Sequence, residues 1–450
     1  MRAAEAMTIA GGVSAETLMG RAAAAATVAI RRFAPVGSAL VLCGPGNNGG
    51  DGFGVAANLQ AAGVNVQVAA AAMPQSEPAA GFARRWTGPV VPLAGATPAP
   101  LIIDALFGTG LTRPLGADVQ ALLDRLQGSG ATVVALDLPS GIDSDTGAAL
   151  GRPLPADLCV AFGAAKRGHL LGEGRGASGR LVIADIGIAV TGPQVRHVAR
   201  PWCRPLPDEL HKYKRGGLLV IAGSAPGAAR LAALCALRAG AGAVTLVGGQ
   251  ESPPADAIMC ASDAAALALL GTAKVRAIAL GPGLADNQRS RDWLVRLLAG
   301  STPLVLDAGA LALFDGPQDL FAQAVAPLVL TPHAGEFARL FGPAGPDPVA
   351  AVQAAAVVSG AVVLLKGRET IIAAPDGRVA INTHATPWLA TAGSGDALTG
   401  IIVALLAQGM SQFAAAQAGA WLHGATGLRG GAGMIADDIA RLLPAVLADL

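Results

Sequence analysis

The chain has 450 residues, 52% of them hydrophobic and 14% charged, with 32 basic side chains against 31 acidic ones. That length accommodates two or three domains, and the apolar content argues against disorder. A net charge of +1 and only 4% aromatic residues leave no electrostatic or stacking case for nucleic acid. The cysteines, Cys43, Cys159, Cys203, Cys235 and Cys260, are scattered and never form C-x-x-C, which speaks against a disulfide framework and a structural zinc site. Glycine, proline and charge interrupt the apolar runs before the ~18 residues a membrane span needs. Residues 15–33 contain Glu16, Arg21, Arg31 and Arg32 and read as a helix rather than a signal peptide. A cytoplasmic protein without membrane or nucleic-acid partners is expected.

After the opening helix, residues 38–43 (SALVLC) read as a buried strand that runs into GPGNNGGDG at 44–52, with helix expected from Phe53 to Ala62. Strand, glycine loop and helix open a doubly wound α/β unit. Gly44, Gly46 and Gly49 satisfy G-x-G-x-x-G formally, but residues 64–72 (VNVQVAAAA) lack the acid a dinucleotide fingerprint requires. Asn47, Asn48 and Asp51 instead offer oxygens and amides suited to a hard cation or a sugar-phosphate. Strands at 101–105 (LIIDA) and 132–136 follow, ending in LFGTGLTRPL at 106–115 and DLPSGIDSDTG at 137–147. Asn48, Asp104, Asp137 and Ser140 therefore all stand at or just beyond strand carboxyl ends, the edge where open α/β sheets bind ligands. One such residue could be a turn cap; three successive polar, glycine-rich exits point to a shared site. Strands at 158–162 and 179–186 complete this half, with Lys166 between them.

GPGNNGGDG, LIIDALFGTGL and LDLPSGIDSDTG resemble the amino-terminal epimerase domain of the bifunctional NAD(P)H-hydrate repair enzymes. The resemblance covers residues 1–200 and implies a Rossmann-like domain that interconverts the R and S epimers of hydrated NADH or NADPH. It further implies a potassium ion held by Asn48, Asp104 and Ser140. Nucleotide contacts are implied at Asn47, Asn48, Gly49, Gly50, Asp51, Gly108, Thr109, Gly110, Leu111, Thr112, Arg113, Pro114 and Asp137. The substrate is a hemiaminal, so inversion moves a proton to and from its oxygen. Asp137 is the candidate acid/base, with Lys166 second, although a lone lysine is usually a solvated surface charge.

Residues 187–210, with Pro193, Pro201, Pro205 and Pro207, read as a linker. Beyond it, strands at 218–222, 243–247, 277–280, 303–306, 328–330, 361–365 and 371–374 alternate with loops and helices, so a second, mostly parallel α/β sheet is expected. His333 follows a strand beside Glu336, and is either a packed core histidine or a ligand-edge residue. Lys366, before Gly367, suits contact with a phosphate. At 391–400, TAGSGDALTG places Gly393, Ser394 and Gly395 before Asp396 and an apolar helical run. Backbone N–H groups at a helix start bind phosphate oxygens. A carboxylate beside them reads as the base that activates a hydroxyl for attack on phosphorus, or as an ordinary helix cap.

HK at 211, GSAPGAARLAA, GPGL, LDAGAL, LTPHAGEFARL, LLKGRETII and TAGSGDALTGII resemble the ADP-dependent NAD(P)H-hydrate dehydratase domain, a ribokinase-like fold, over residues 210–450. The resemblance implies dehydration of the S epimer to NAD(P)H with magnesium and ADP, yielding AMP and phosphate. It implies nucleotide contacts at Lys366, Gly367, Arg368, Glu369, Thr370 and Gly395. Contacts with the hydrated dinucleotide are implied at Ala228, Gly283, His333 and Asp396, with Asp396 as the base. A homo-oligomer is implied as well. The chain departs from the family pattern at Ala285, where GPGLG is usual, and at Gly309, where DADAL is usual and a carboxylate is lost. The alternatives are a ribokinase-like kinase of a small hydroxyalkyl heterocycle and a Rossmann-like domain that binds without catalysis.

Overall fold

Runs of consecutive apolar residues bounded by glycine become strands buried on both faces, the signature of parallel sheets. The computed structural model describes every residue except 36, 191, 193, 194, 203–210, 249–252, 315, 317–320, 322 and 323. It divides into two compact units, residues 1–193 and 194–450.

In the first unit the strands are β1 (Ser38–Cys43), β2 (Asn65–Ala70), β3 (Val90–Pro92), β4 (Leu101–Ala105), β5 (Thr132–Leu136), β6 (Leu158–Phe162) and β7 (Arg180–Ala184). They pair in parallel in the order β3-β2-β1-β4-β5-β6-β7. The chain winds outward from β1 in one direction and from β4 in the other, so a crevice opens beyond their carboxyl ends. The opening helix is two helices, Arg2–Ala10 and Ala15–Phe33, the second capped by the Ser14 hydroxyl. Helix Asn47–Ala61 starts well before the expected Phe53. Glycine's poor helix propensity masked its first turns. Close packing explains the glycines: a Cβ on Gly50 would lie 2.7 Å from Ala79, and one on Gly54 2.6 Å from Ala23.

The second unit contains β8 (Val195–His197), β9 (Gly217–Ile221), β10 (Ala243–Val247), β11 (Met259–Ala261), β12 (Ala277–Leu280), β13 (Leu304–Leu306), β14 (Leu328–Leu330), β15 (Val362–Leu365), β16 (Thr370–Ala373) and β17 (Val379–Asn382). Their order is β11-β10-β9-β12-β13-β14-β15-β16-β17-β8. Pairing is parallel from β11 to β15, β16 is antiparallel to both neighbours, and β8 pairs in parallel with β17. The stretch read as a linker thus contributes an edge strand, too short and polar to show periodicity. Pro193, Pro205, Pro207 and Leu210 of that stretch lie outside the described residues, as does Cys203. Here the winding reverses between β9 and β12.

Helix Ser394–Ala407 is buried along almost its whole length and packs on helix Pro226–Arg238. The contact depends on Gly400, where a Cβ would stand 2.1 Å from the Ala232 carbonyl oxygen. The loops at the carboxyl edge approach just as closely. A Cβ on Gly309 would stand 2.1 Å from the Leu284 carbonyl oxygen, so the backbone leaves no room for the side chain that the resemblance would place there. Among the described residues no helix is long and apolar enough to cross a membrane. Cys43, Cys159 and Cys235 are buried free thiols.

Overpacking of this kind costs about 1–3 kcal/mol. Gly400→Ala and Gly309→Ala should each lower the urea midpoint of the second unit accordingly. Gly227→Ala, with no atom within 4 Å of its added Cβ, should leave it unchanged or slightly raised.

Candidate functional site

In the first unit the loops after β1 and β4 meet backbone to backbone, since a Cβ on Gly44 would lie 1.7 Å from the Leu106 carbonyl oxygen. Over them opens a cavity of about 530 Å³ whose polar lining includes Asn47, Asn48, Asp51, Thr109, Asp137 and Lys166. Gly108, Gly110 and Leu111 line it too, whereas Gly49, Gly50, Thr112, Arg113 and Pro114 are not among its lining residues. Residues of helix Arg2–Ala10 form part of the wall, which the sequence reading missed; Arg2 Nη2 donates to the Thr109 carbonyl at 3.0 Å.

Asp137 occupies the left-handed region at φ +64°, a conformation that costs a non-glycine residue about 1–3 kcal/mol. Its backbone N–H donates to Val160 O at 2.8 Å. Its carboxylate pairs with the Lys166 ammonium and accepts the Thr109 N–H at 3.3 Å. Lys166 also donates to Phe162 O at 3.0 Å, and its side chain is only 8% exposed, so it is not a solvated surface charge. Asp51 faces the same cavity. Burial raises its carboxyl well above the usual range, Asp137 and Glu5 add to the rise, and Lys166 opposes it.

Beneath the loop after β4 lies a second polar cluster. Asp104 is fully buried. It accepts the Ser140 hydroxyl at 2.6 Å, the Ser140 N–H at 2.8 Å and the Leu106 N–H at 3.2 Å. Burial raises its carboxyl despite these bonds. Asn48 is buried, and neither its Oδ1 nor its Nδ2 has a hydrogen-bond partner. A Cβ on Gly108 would come within 3.4 Å of the Asn48 amide carbon and 2.9 Å of Asp137 Oδ2, and the neighbouring Phe107 N–H donates to the Ser140 hydroxyl at 2.9 Å, so one loop touches Asn48, Asp137 and Ser140. The Asp104 carboxylate, the Ser140 hydroxyl and the orphaned Asn48 amide oxygen are oxygen donors of the kind a hard cation takes.

In the second unit Gly393, at φ +86°, is the N-cap of helix Ser394–Ala407, which places Gly395 and Asp396 in its first turn. Asp396 is therefore not the cap. Burial pushes its carboxyl up to about 6, with Asp307 adding to the rise and Lys366 opposing it. Lys366 Nζ lies 2.7 Å from Asp307 Oδ1, and the Thr399 hydroxyl donates to Asp307 Oδ2 at 2.7 Å. A Cβ on Gly395 would be 3.4 Å from Lys366 Nζ, so the glycine keeps the approach to the ammonium open. Asp307 and Thr399 were absent from the expected site. Asp307 ends a strand, and Thr399 follows Asp396 at a helical i+3 spacing that puts them on one face.

His333 is not a core residue. Its side chain is 61% exposed and caps helix Ala334–Phe341, Nδ1 accepting the Gly335 N–H at 3.0 Å, while Glu336 closes a reciprocal capping box. A parallel bridge joins His333 to Lys366, and Lys366 Nζ lies 4.0 Å from Glu336. The turn Lys366, Gly367, Arg368, Glu369, Thr370 joins antiparallel β15 and β16, with Arg368 Nε 3.1 Å from Glu369. Gly283 lies in the loop after β12 and Ala228 in the first turn of helix Pro226–Arg238, and the Ala225 N–H to Gly283 O bond at 3.1 Å joins the two loops at the switch point. Half-buried His423, pushed down to about 4 by desolvation, bonds the Ser394 hydroxyl at 2.9 Å.

The family described as NAD(P)H-hydrate dehydratase matches residues 218–444, and the YjeF-related protein N-terminus matches residues 15–168. The chain is 38% identical to a bifunctional NAD(P)H-hydrate repair enzyme of Salinibacter ruber over 91% of this chain and 87% of that one. It is 37% identical to the enzyme of the same name from Moorella thermoacetica, with the same coverage. A ribokinase-like superfamily protein from Enterococcus faecalis superposes with a TM-score of 0.50 at 23% identity, over 58% of this chain and 98% of that one, and so shares the fold of the second unit. Relatives that span both units under one name favour the repair reading over the heterocycle-kinase alternative. The chain belongs to the family of bifunctional NAD(P)H-hydrate repair enzymes.

Proposed function

We propose that the first unit interconverts the R and S epimers of hydrated NADH and NADPH, and that the second dehydrates the S epimer at the expense of ADP. The observation that carries the second assignment is Asp396, a carboxylate with its pKa raised to about 6 in the first turn of a helix beside Lys366 and Asp307. A group of that pKa is ionised at neutral pH and is a stronger base than an ordinary aspartate. Asp396 takes the proton of the ring hydroxyl, whose oxygen attacks the β-phosphorus of ADP as AMP departs. The ring-nitrogen lone pair then expels phosphate, and loss of a proton from the neighbouring ring carbon gives the dihydropyridine. Lys366, Gly367, Arg368, Glu369, Thr370 and Gly395 hold the adenine nucleotide. Ala228, Gly283, His333 and Asp396 hold the hydrated dinucleotide. Magnesium, when bound, neutralises the phosphate charge.

In the first unit Asp137 and Lys166 exchange the proton of the hemiaminal, one as carboxylate and one as ammonium. Asn47, Asn48, Asp51, Gly108, Thr109, Gly110 and Leu111 surround the nucleotide. Asn48, Asp104 and Ser140 would hold a potassium ion, which would supply the positive charge that buried Asp104 lacks.

Return of the absorbance of reduced nicotinamide measures both reactions. With ADP, magnesium and the S epimer, Asp396→Asn should slow recovery by about 10²–10⁴-fold, the usual worth of a general base. The wild-type rate should fall as pH drops through about 6, because protonated Asp396 cannot accept the hydroxyl proton. Lys366→Met should move that limb to higher pH, since the lysine charge holds the carboxyl down. Given an R and S mixture, Asp137→Asn should stop near the S fraction, whereas the wild type should proceed to completion. Equal completion by the variant would remove Asp137 from the reaction.

A further inference from the structure

The acid/base pair of the first unit rests on a histidine that the cavity never touches. His169 is 3% exposed and closes the short 3-10 turn Arg167–His169 directly after Lys166. Its Nδ1 lies 2.9 Å from the Lys166 backbone nitrogen, and its Nε2 lies 2.6 Å from the Asp137 carbonyl oxygen. Nδ1 also lies 3.3 Å from the Lys166 carbonyl oxygen, and the shorter contact at each nitrogen sets the tautomer. A backbone N–H can only donate, so Nδ1 accepts; a carbonyl can only accept, so Nε2 carries the proton. Burial pushes the imidazole pKa down, with the Lys166 charge acting in the same direction, while the hydrogen bond to the Asp137 carbonyl and the Asp137 charge oppose it.

One neutral ring therefore joins the backbones of both members of the pair. Asp137 and Lys166 line the cavity, whereas His169 is not among its lining residues and approaches both from behind. The bond to the Asp137 carbonyl falls on a peptide held at φ +64°. An unfavourable backbone conformation persists only where its surroundings over-determine it. Here the Asp137 N–H to Val160 O bond fixes one side of the residue, and His169 fixes the other. The Cys159 thiol, 3.7 Å from the same carbonyl, is a weak donor that cannot replace it. If the Asp137 peptide relaxes, its carboxylate direction changes and the contacts to Lys166 and to the Thr109 N–H are lost together.

We infer that His169 is the positioning residue of the epimerase, holding Asp137 and Lys166 in register through its two ring nitrogens without touching substrate. This rests on the assignment of those two residues as the acid/base pair.

The test uses the full chain with the R epimer as sole substrate, under conditions in which epimerisation limits nicotinamide recovery. His169→Leu should lower kcat about 100-fold while KM for the R epimer stays within about 2-fold, because the cavity wall is untouched. His169→Gln places an amide donor where Nε2–H stood and should regain at least 10-fold of that loss. His169→Asn offers only an acceptor near Nδ1 and should not. Dehydration of the S epimer by all three should equal the wild-type rate. A wild-type kcat in His169→Leu would overturn the inference. So would a loss in kcat and KM together that Gln and Asn rescue equally, the mark of a merely structural residue. If His169→Leu does not fold, the Gln and Asn variants alone decide between these outcomes. Asp137→Asn and Lys166→Met are measured alongside. Wild-type rates in both would remove the acid/base assignment itself, whatever the histidine variants do.

Discussion

The contact on which both sites depend is backbone against backbone at the sheet edge. A Cβ on Gly281 would lie 1.8 Å from the Asp307 carbonyl oxygen, one on Gly283 2.0 Å from Ala225 O and one on Gly49 1.9 Å from Gly44 O. Real Cβ atoms do not come so close, so the loops leaving adjacent strands can nest only because side chains are absent there. The nesting brings polar groups from strands far apart in sequence within hydrogen-bonding range. Asp104 and Ser140, from the exits of β4 and β5, meet at 2.6 Å in this way. Lys366 and Asp307, from the exits of β15 and β13, meet at 2.7 Å.

The same constraint bears on the two positions, Ala285 and Gly309, that the sequence reading singled out as departures from the family pattern. Gly309 was read from sequence as the loss of a carboxylate. In the fold it is the place where the loop after β12 closes on the helix after β13, with Leu284 O occupying the position a Cβ would need. Ala285 is the next residue along that loop. The two departures therefore lie together, and the backbone fills the space rather than leaving a vacant ligand position.

Much of this was legible in the sequence because parallel strands announce themselves as short apolar runs with glycine exits. β1, β4, β5, β6, β10, β12 and β14 match the expected ranges to the residue. Helix Asn47–Ala61 was harder to place because its first turns are rich in glycine, chosen for packing against Ala79 and Ala23 rather than for propensity. β3, β8, β11 and β17 were missed because strands of three or four residues carry too few alternations to detect. Asp137, Lys166 and Asp396 could be singled out by motif, but their partners could not. His169 and Thr399 acquire meaning only through contacts with Asp137 and Asp307 that folding creates.

The two sites treat a buried carboxylate in opposite ways, and the difference follows from where the lysine goes. In the first unit Lys166 binds Asp137 itself, so the acid and base proposed there form a neutralised pair able to pass a proton in either direction. An isomerisation between epimers of nearly equal energy needs such symmetry. In the second unit Lys366 binds Asp307, and Thr399 occupies the other oxygen of that carboxylate. At Asp396 burial and the like charge of Asp307 outweigh the opposing charge of Lys366 and make it basic. A base that takes a proton while its substrate oxygen attacks phosphorus gains from that imbalance. Moving Lys366 from Asp307 to Asp396 would lower the basicity of the group proposed to accept the proton. The helix that carries Asp396 is fixed in place by its burial and by its close approach to Ala232 at Gly400, where the packing leaves no room for a Cβ.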